Sequence, residues 1–216
     1  MSANFFYAAY SYLDEWMSKD RQFHEVLAFA KTDVDANKGA ETLVEVAKHY
    51  GVIRTLKAGA GESVRLESAY RMLTSTTSPG LDDVPKTVDK FASELGSVYG
   101  GLPFSAASKF LWMRFRTPIV IYDSLVAAYL AAENRGYDNR TSESFYSAWR
   151  ENYLRNQEAN LAACDELISI KKFTLASGCK DEDVSNWTNS EWFRERVFDH
   201  FMQSNSPLIG NQKLSS

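Results

Sequence analysis

Apolar residues recur every three or four positions along most of the chain, as in Leu43, Val44, Ala47 and Tyr50, and again in Phe193, Val197 and Phe201. That period belongs to helices that turn one face to a core. It predicts an all-α protein with helical runs over residues 4–17, 21–31, 40–57, 62–75, 84–98, 104–116, 124–135, 142–176 and 190–203, the run from 142 to 176 holding two helices. Polar or Gly/Pro clusters punctuate the pattern at Asp33 to Gly39, Thr74 to Pro85, Gly100 to Pro103, Gly136 to Thr141 and Gly178 to Asn189. Each is short enough to be a loop within one domain, so a single domain over 1–203 is expected, followed by a polar tail over 204–216. Thr117 to Tyr122 is the one β-like stretch.

Composition narrows the class. The chain has 216 residues, 44% of them hydrophobic and 24% charged, which fits a folded core and excludes disordered or collagen-like chains. The net charge of −4 argues against wholesale attraction to nucleic acid or anionic lipid, so a polyanion site has to be a local patch. Cys164 and Cys179 form no CxxC pair, and His24, His49 and His200 form no HxxxH or HExxH pattern. No metal or other cofactor is implied, the thiols are expected to be reduced and packed, and the histidines to be structural or exposed. Asp14 and Glu15 interrupt the apolar start before it reaches the length of a signal or a membrane span, so a cytoplasmic protein is expected.

One segment departs from the acidic balance. Between Gly101 and Tyr122 stand Lys109, Arg114 and Arg116 and no acidic residue. The segment opens with the turn Gly100-Gly101-Leu102-Pro103, and Phe104-Ser105-Ala106-Ala107-Ser108 then begins a helix with mostly small side chains. Small residues leave the first N–H groups of a helix open to a phosphate, and a Gly-Pro loop capped by Ser105 is the structural alternative. This helix is expected to end before Pro118, with an extended return to Asp123 and Ser124 at the start of the next helix. Lys109 lies about 10 Å from the helix end, and an extended six-residue run spans about 20 Å, so the return can bring Asp123 close to Lys109. A desolvated lysine yields an amine that attacks electrophilic carbon, and a nearby carboxylate supports positive charge on a reacting sugar. The structural alternative is an Asp123 helix cap and a solvated Lys109.

Leu102-Pro103-Phe104-Ser105-Ala106-Ala107-Ser108-Lys109-Phe110-Leu111-Trp112, followed by Pro118-Ile119-Val120-Ile121-Tyr122-Asp123-Ser124, resembles the hairpin-helix and aspartate block of helix-hairpin-helix DNA glycosylases, in particular the bacterial branch similar to 8-oxoguanine DNA glycosylase. Trp192-Phe193-Arg194-Glu195-Arg196-Val197-Phe198-Asp199 resembles the C-terminal helix of that branch. The resemblance implies a helical glycosylase fold and a monomer that acts on double-stranded DNA without a cofactor. It implies that Lys109 is the nucleophile on C1′, giving a Schiff base, and that Asp123 assists departure of the base. Met113, Phe193, Arg196 and Phe201 would line the pocket for a flipped base, and Ser105, Ala106, Ser108, Arg114 and Arg116 would meet the DNA. The expected substrate is an oxidised guanine or a bulky modified base, the latter in phage DNA removed as antiviral defence. Phe104 and Ala106 stand where the family hairpin carries glycine, and Lys109 falls one position late. Hydrolysis by water with Asp123 alone is therefore the alternative to strand-cleaving lyase chemistry.

Elsewhere, Phe5, Phe6, Tyr7, Tyr10, Tyr12 and Trp16 are expected to dock the first helix, and Arg54, Lys57, Arg65 and Arg71 either extend a DNA surface or face solvent. Asp181, Glu182 and Asp183 read as a surface loop. The rivals to a glycosylase are a non-catalytic DNA-binding module and a helical protein-interaction module.

Overall fold

The computed structural model describes residues 3–28, 36–57, 64–133, 137–138 and 141–209. Its regular elements are helical, and no strand occurs among the described residues. Eleven α-helices are described: α1 (Ala3–Glu15), α2 (Arg21–Ala28), α3 (Ala36–His49), α4 (Glu67–Ser75), α5 (Val84–Tyr99), α6 (Phe104–Phe115), α7 (Ser124–Glu133), α8 (Ser142–Asp165), α9 (Leu167–Ile170), α10 (Asp181–Thr188) and α11 (Glu191–Ser204). A π-helical turn, Trp16–Asp20, follows α1. Among the described helices, none is long and apolar enough to cross a membrane.

Within the span expected as one domain, the chain groups into two compact units, one of residues 1–19 and 123–216, the other of Asp20–Tyr122. In the first, α1 packs on α11 and α8, and α7 and α10 close on α8 and α11. Phe5, Tyr12 and Trp16 are buried there, as expected of a docking face, while Tyr7 stays exposed. In the second, α6 is the centre, in contact with α2, α3, α4 and α5. Every residue from Ala106 to Met113 is buried, so this helix is enclosed on all sides rather than amphipathic.

Four expectations about elements are corrected. Thr117 to Tyr122 is not a strand: Ile119, Val120 and Ile121 are buried, and their segment is irregular backbone. The run from Gly178 to Asn189 is not simply a loop, because Asp181, Glu182 and Asp183 form the first turn of α10, where carboxylates favour the positive end of the helix dipole. The break expected over Asp33 to Gly39 is helical from Ala36 on, and the helix expected over 40–57 ends at His49, whereas the run from 142 to 176 holds two α-helices as expected, α8 and the single turn α9, before the 3-10 turn Lys171–Phe173. The starts of the predicted helix at 62–75 and of the break at Asp33 to Gly39, the ends of the helices at 21–31 and 124–135, and tail residues 210–216 lie outside the described residues.

Candidate functional site

Helices α5 and α6 are joined by Gly100, Gly101, Leu102 and Pro103. Gly100 and Gly101 have φ of 82° and 71°, in the left-handed region that glycine enters at no steric cost. Gly96 permits the close approach of this turn, since a Cβ there would lie 2.3 Å from the Gly101 carbonyl oxygen. The result is a helix, a tight turn and a helix, with Gly100, Gly101 and Leu102 exposed at its tip.

Behind the turn, α6 holds the returning segment by polar side chains. Ser108 Oγ accepts the backbone N–H of Tyr122 at 3.0 Å and donates to the Ser105 carbonyl at 3.2 Å. Ser105 Oγ donates to the Tyr122 carbonyl at 3.2 Å. The Lys109 ammonium donates to Ser105 Oγ at 2.7 Å and to the Tyr122 carbonyl at 2.9 Å. Lys109 is only 2% exposed, which excludes the solvated-lysine alternative. A buried ammonium needs such acceptors, because an unpaired one would cost several kcal/mol. Its Nζ also lies 5.8 Å from the centroid of the Tyr50 ring. The Tyr50 hydroxyl in turn donates to the buried Asp20 carboxylate, lying 2.9 Å from each of its oxygens. Sequence reasoning missed Tyr50 and Asp20, for no spacing links residues 20, 50 and 109 before the helices are packed.

Asp123 follows Tyr122 and begins the other unit, where its Oδ1 accepts the Leu125 N–H at 2.9 Å at the start of α7. The cap expected of it is present. It is half-buried and acts as an N-cap whatever else it does.

The expected DNA-facing residues are distributed differently from their spacing. Ala106 and Ser108 are interior, and Ser105 is half-buried with its hydroxyl engaged by Lys109 and Tyr122. Arg114 turns inward: Nη2 donates to the Thr74 carbonyl at 3.2 Å, the guanidinium lies 5.2 Å from the Phe115 ring, and Nε and Nη1 are shielded from solvent. Burial lowers its pKa from the ordinary arginine value. Arg116 closes α6 with φ 56° and ψ −121°, a region that a side chain strains to occupy. Its guanidinium is close enough to His24 to act on that ring. Burial first, and then the Arg116 charge, hold the His24 pKa down to about 4. Met113 is fully buried, and its carbonyl is 2.9 Å from His24 Nδ1. Arg65 donates to the Ile53 and Leu56 carbonyls and Arg71 pairs with Glu67, so both are tied to their own surroundings.

On α11, Phe193 and Arg196 are core residues of the first unit. The Arg196 guanidinium lies 5.3 Å from the Tyr12 ring, and Nη1 donates to Asp199 Oδ2 at 2.8 Å. Asp199 Oδ1 accepts the Trp149 indole N–H at 2.7 Å. Phe193 packs 4.9 Å from Tyr12. Phe201 is half-buried and stacks on Phe5 at 3.8 Å. These contacts satisfy a core, and of the expected base-pocket residues Phe201 alone has partial exposure.

Cys164 is buried, which pushes its thiol up to about 12, and Cys179 is half-buried; neither is in a disulfide. Two grooves of the second unit contain none of the residues predicted for chemistry or base binding. One, of about 650 Å³, is lined by Phe23, Val26, Thr42 and Glu45, and the other, of about 450 Å³, by Thr77, Ser78, Lys86 and Lys90. No protein-family model, no curated protein and no solved structure matches the chain.

Proposed function

We propose that the chain is a DNA glycosylase that takes a modified base out of the duplex and breaks its N-glycosidic bond. The observation that carries this reading is the Lys109 ammonium, enclosed by α6 and fixed on Ser105 Oγ and on the Tyr122 carbonyl, the residue before Asp123. A lysine kept from water and aimed by two acceptors is a poised amine once it loses a proton. In the proposed reaction that amine attacks C1′ as the C1′–N bond breaks. The bond's electrons leave with the base, which takes up a proton. Opening of the sugar ring then gives a Schiff base, and water hydrolyses its C1′=N bond to free the lysine, either directly or after β-elimination has expelled the 3′-phosphate. The Asp123 carboxylate stabilises the positive charge that develops on the sugar as the C1′–N bond breaks. Gly100 and Gly101 at the exposed turn carry no side chain that would keep a DNA phosphate from the backbone, with the Gly100 N–H itself already donated to the Gly96 carbonyl at 2.9 Å. A base inside a duplex has to be rotated out to react.

A second reading, a non-catalytic helical DNA-binding or protein-interaction module, is favoured by one observation: Lys109 is 2% exposed and also pins the return segment to α6. Incubation with DNAs carrying oxidised guanine or bulkier modified bases, followed by chromatography of released base, separates the two. Release by the native chain and its loss in Asp123→Asn supports the glycosylase; DNA binding with no release on any of these DNAs supports the module.

A further inference from the structure

We propose that Tyr50, oriented by the buried Asp20, is a positioning residue for Lys109, holding the ammonium against Ser105 and the Tyr122 carbonyl. This rests on the reading of Lys109 as the nucleophile for its consequence in reaction, though not for the contact itself.

The inference is built from three elements of the second unit. Tyr50 follows the last turn of α3, Asp20 precedes α2, and Lys109 lies in the middle of α6. A lysine side chain has four rotatable bonds, and besides the bonds to Ser105 Oγ and the Tyr122 carbonyl its ammonium responds to whatever meets its remaining face. The Tyr50 ring at 5.8 Å supplies a third attraction, since the negative face of an aromatic ring draws a cation within about 6 Å. Tyr50 is in turn held by its hydroxyl, which meets both Asp20 carboxylate oxygens at 2.9 Å. A phenol that donates to a carboxylate has a more electron-rich ring, which strengthens its hold on the ammonium. Asp20 is 0% exposed, a costly place for a carboxylate unless it has such a partner.

Of the other titratable groups, His49 at the end of α3 meets the Tyr50 ring edge-on at 5.0 Å and comes within 4.8 Å of the Asp20 carboxylate, so its charge bears on the Tyr50–Asp20 pair. His24 on α2 is tied to the Met113 carbonyl and is neutral above about pH 4, and Arg114 and Arg116 lie beyond Met113 at the helix end. The Tyr122 phenyl ring meets Phe104 edge-on at 4.9 Å, and Asp123 is next in the chain. None of these supplies a π face to Lys109 as Tyr50 does.

The test uses the full chain with ¹³C,¹⁵N-labelled lysine. Tyr50→Leu removes the ring, and Tyr50→Phe keeps it while releasing Asp20. Ring-current shielding of the Lys109 ε protons is expected in the native chain, to persist in Tyr50→Phe and to vanish in Tyr50→Leu. Borohydride trapping on modified-base DNA should respond in parallel. Without the ring the ammonium is less favoured, so the rising limb of the trapping rate moves to lower pH by about 0.5 to 1 unit in Tyr50→Leu and by less in Tyr50→Phe. A merely structural Tyr50 would change the melting temperature and leave the pH limb in place, which overturns the proposal. If the native chain traps nothing while the shielding behaves as described, the positioning contact stands and the glycosylase reading fails. Should Tyr50→Leu unfold, Tyr50→Phe and Asp20→Asn decide: a pH limb that stays in place in both would remove the orienting role of Asp20 and overturn the proposal.

Discussion

Lys109 donates from its buried ammonium to the backbone carbonyl of Tyr122 at 2.9 Å, thirteen residues further along the chain. This bond fixes where α6 ends its control of the returning segment and where Asp123 begins.

The helix-turn-helix of α5 and α6 depends on Gly96 more than on either glycine of its turn. A Cβ at Gly96 meets the Gly101 carbonyl oxygen, whereas one at Gly101 meets open space and only suffers its φ of 71°. Gly96→Ala is expected to lose about 2–4 kcal/mol, and Gly101→Ala about 1 kcal/mol. Urea unfolding of the two variants checks the order; equal losses would mean that the turn does not press on α5.

The two arginines at the end of α6 should respond with opposite signs in stability. Arg114→Ala forfeits the bond to Thr74 and the packing on Phe115 and is expected to cost about 1–2 kcal/mol. It should leave the salt dependence of DNA binding unchanged. Arg116→Gly relieves φ 56°, ψ −121° and is expected to raise stability by about 1 kcal/mol. If its side chain reaches a phosphate, the log–log salt slope flattens by about one unit. Melting temperature and salt slope on each variant check both statements.

His24 should make stability fall in mild acid. Its folded pKa is about 4 and its usual value is 6.5, so between those values the unfolded chain binds the extra proton. The stabilisation is complete above pH 6.5 and is lost as pH falls toward 4, by up to about 3 kcal/mol. His24→Gln keeps a donor for the Met113 carbonyl and removes the titration. Denaturant unfolding at pH 7, 5.5 and 4 should show a drop in the native chain that is smaller in the variant.

The all-α class and the order of α5, turn and α6 were legible because helical period and Gly/Pro punctuation are local signals. Of the polar residues of α6, Lys109 is buried, as its desolvated alternative required, but Ser105 and Ser108, expected to meet DNA, are half-buried and buried, because all three find partners in the Tyr122 peptide and in one another. The same bonds explain why Pro118 to Tyr122 looks like a strand and is not one: Ser108 Oγ takes the Tyr122 N–H that a neighbouring strand would otherwise bind. α10 was missed because an acidic run after Gly178 reads as a break, although Val184, Trp187 and Thr188 carry a helical spacing. Asp20 and Tyr50 left no trace, since only the packing of α2 and α3 against α6 brings them to Lys109.

Asp123 offers a clean separation of charge from structure. Asn caps a helix about as well as Asp, so Asp123→Asn should keep the Leu125 N–H bond and hold the melting temperature within about 2 °C. Loss of the carboxylate charge should nevertheless lower base release at least about a hundredfold with little change in DNA affinity. A variant with a tenth or more of native activity would exclude Asp123 from the chemistry.

The role of Lys109 is tested most directly by reducing the protein with borohydride during reaction on DNA carrying a modified base, then mapping the covalent adduct by mass spectrometry of the digested chain. The expected result is a single adduct on Lys109 Nζ, absent in Lys109→Gln. An adduct on another amine, or none on DNA shown to have lost its base, would contradict Lys109 as the nucleophile.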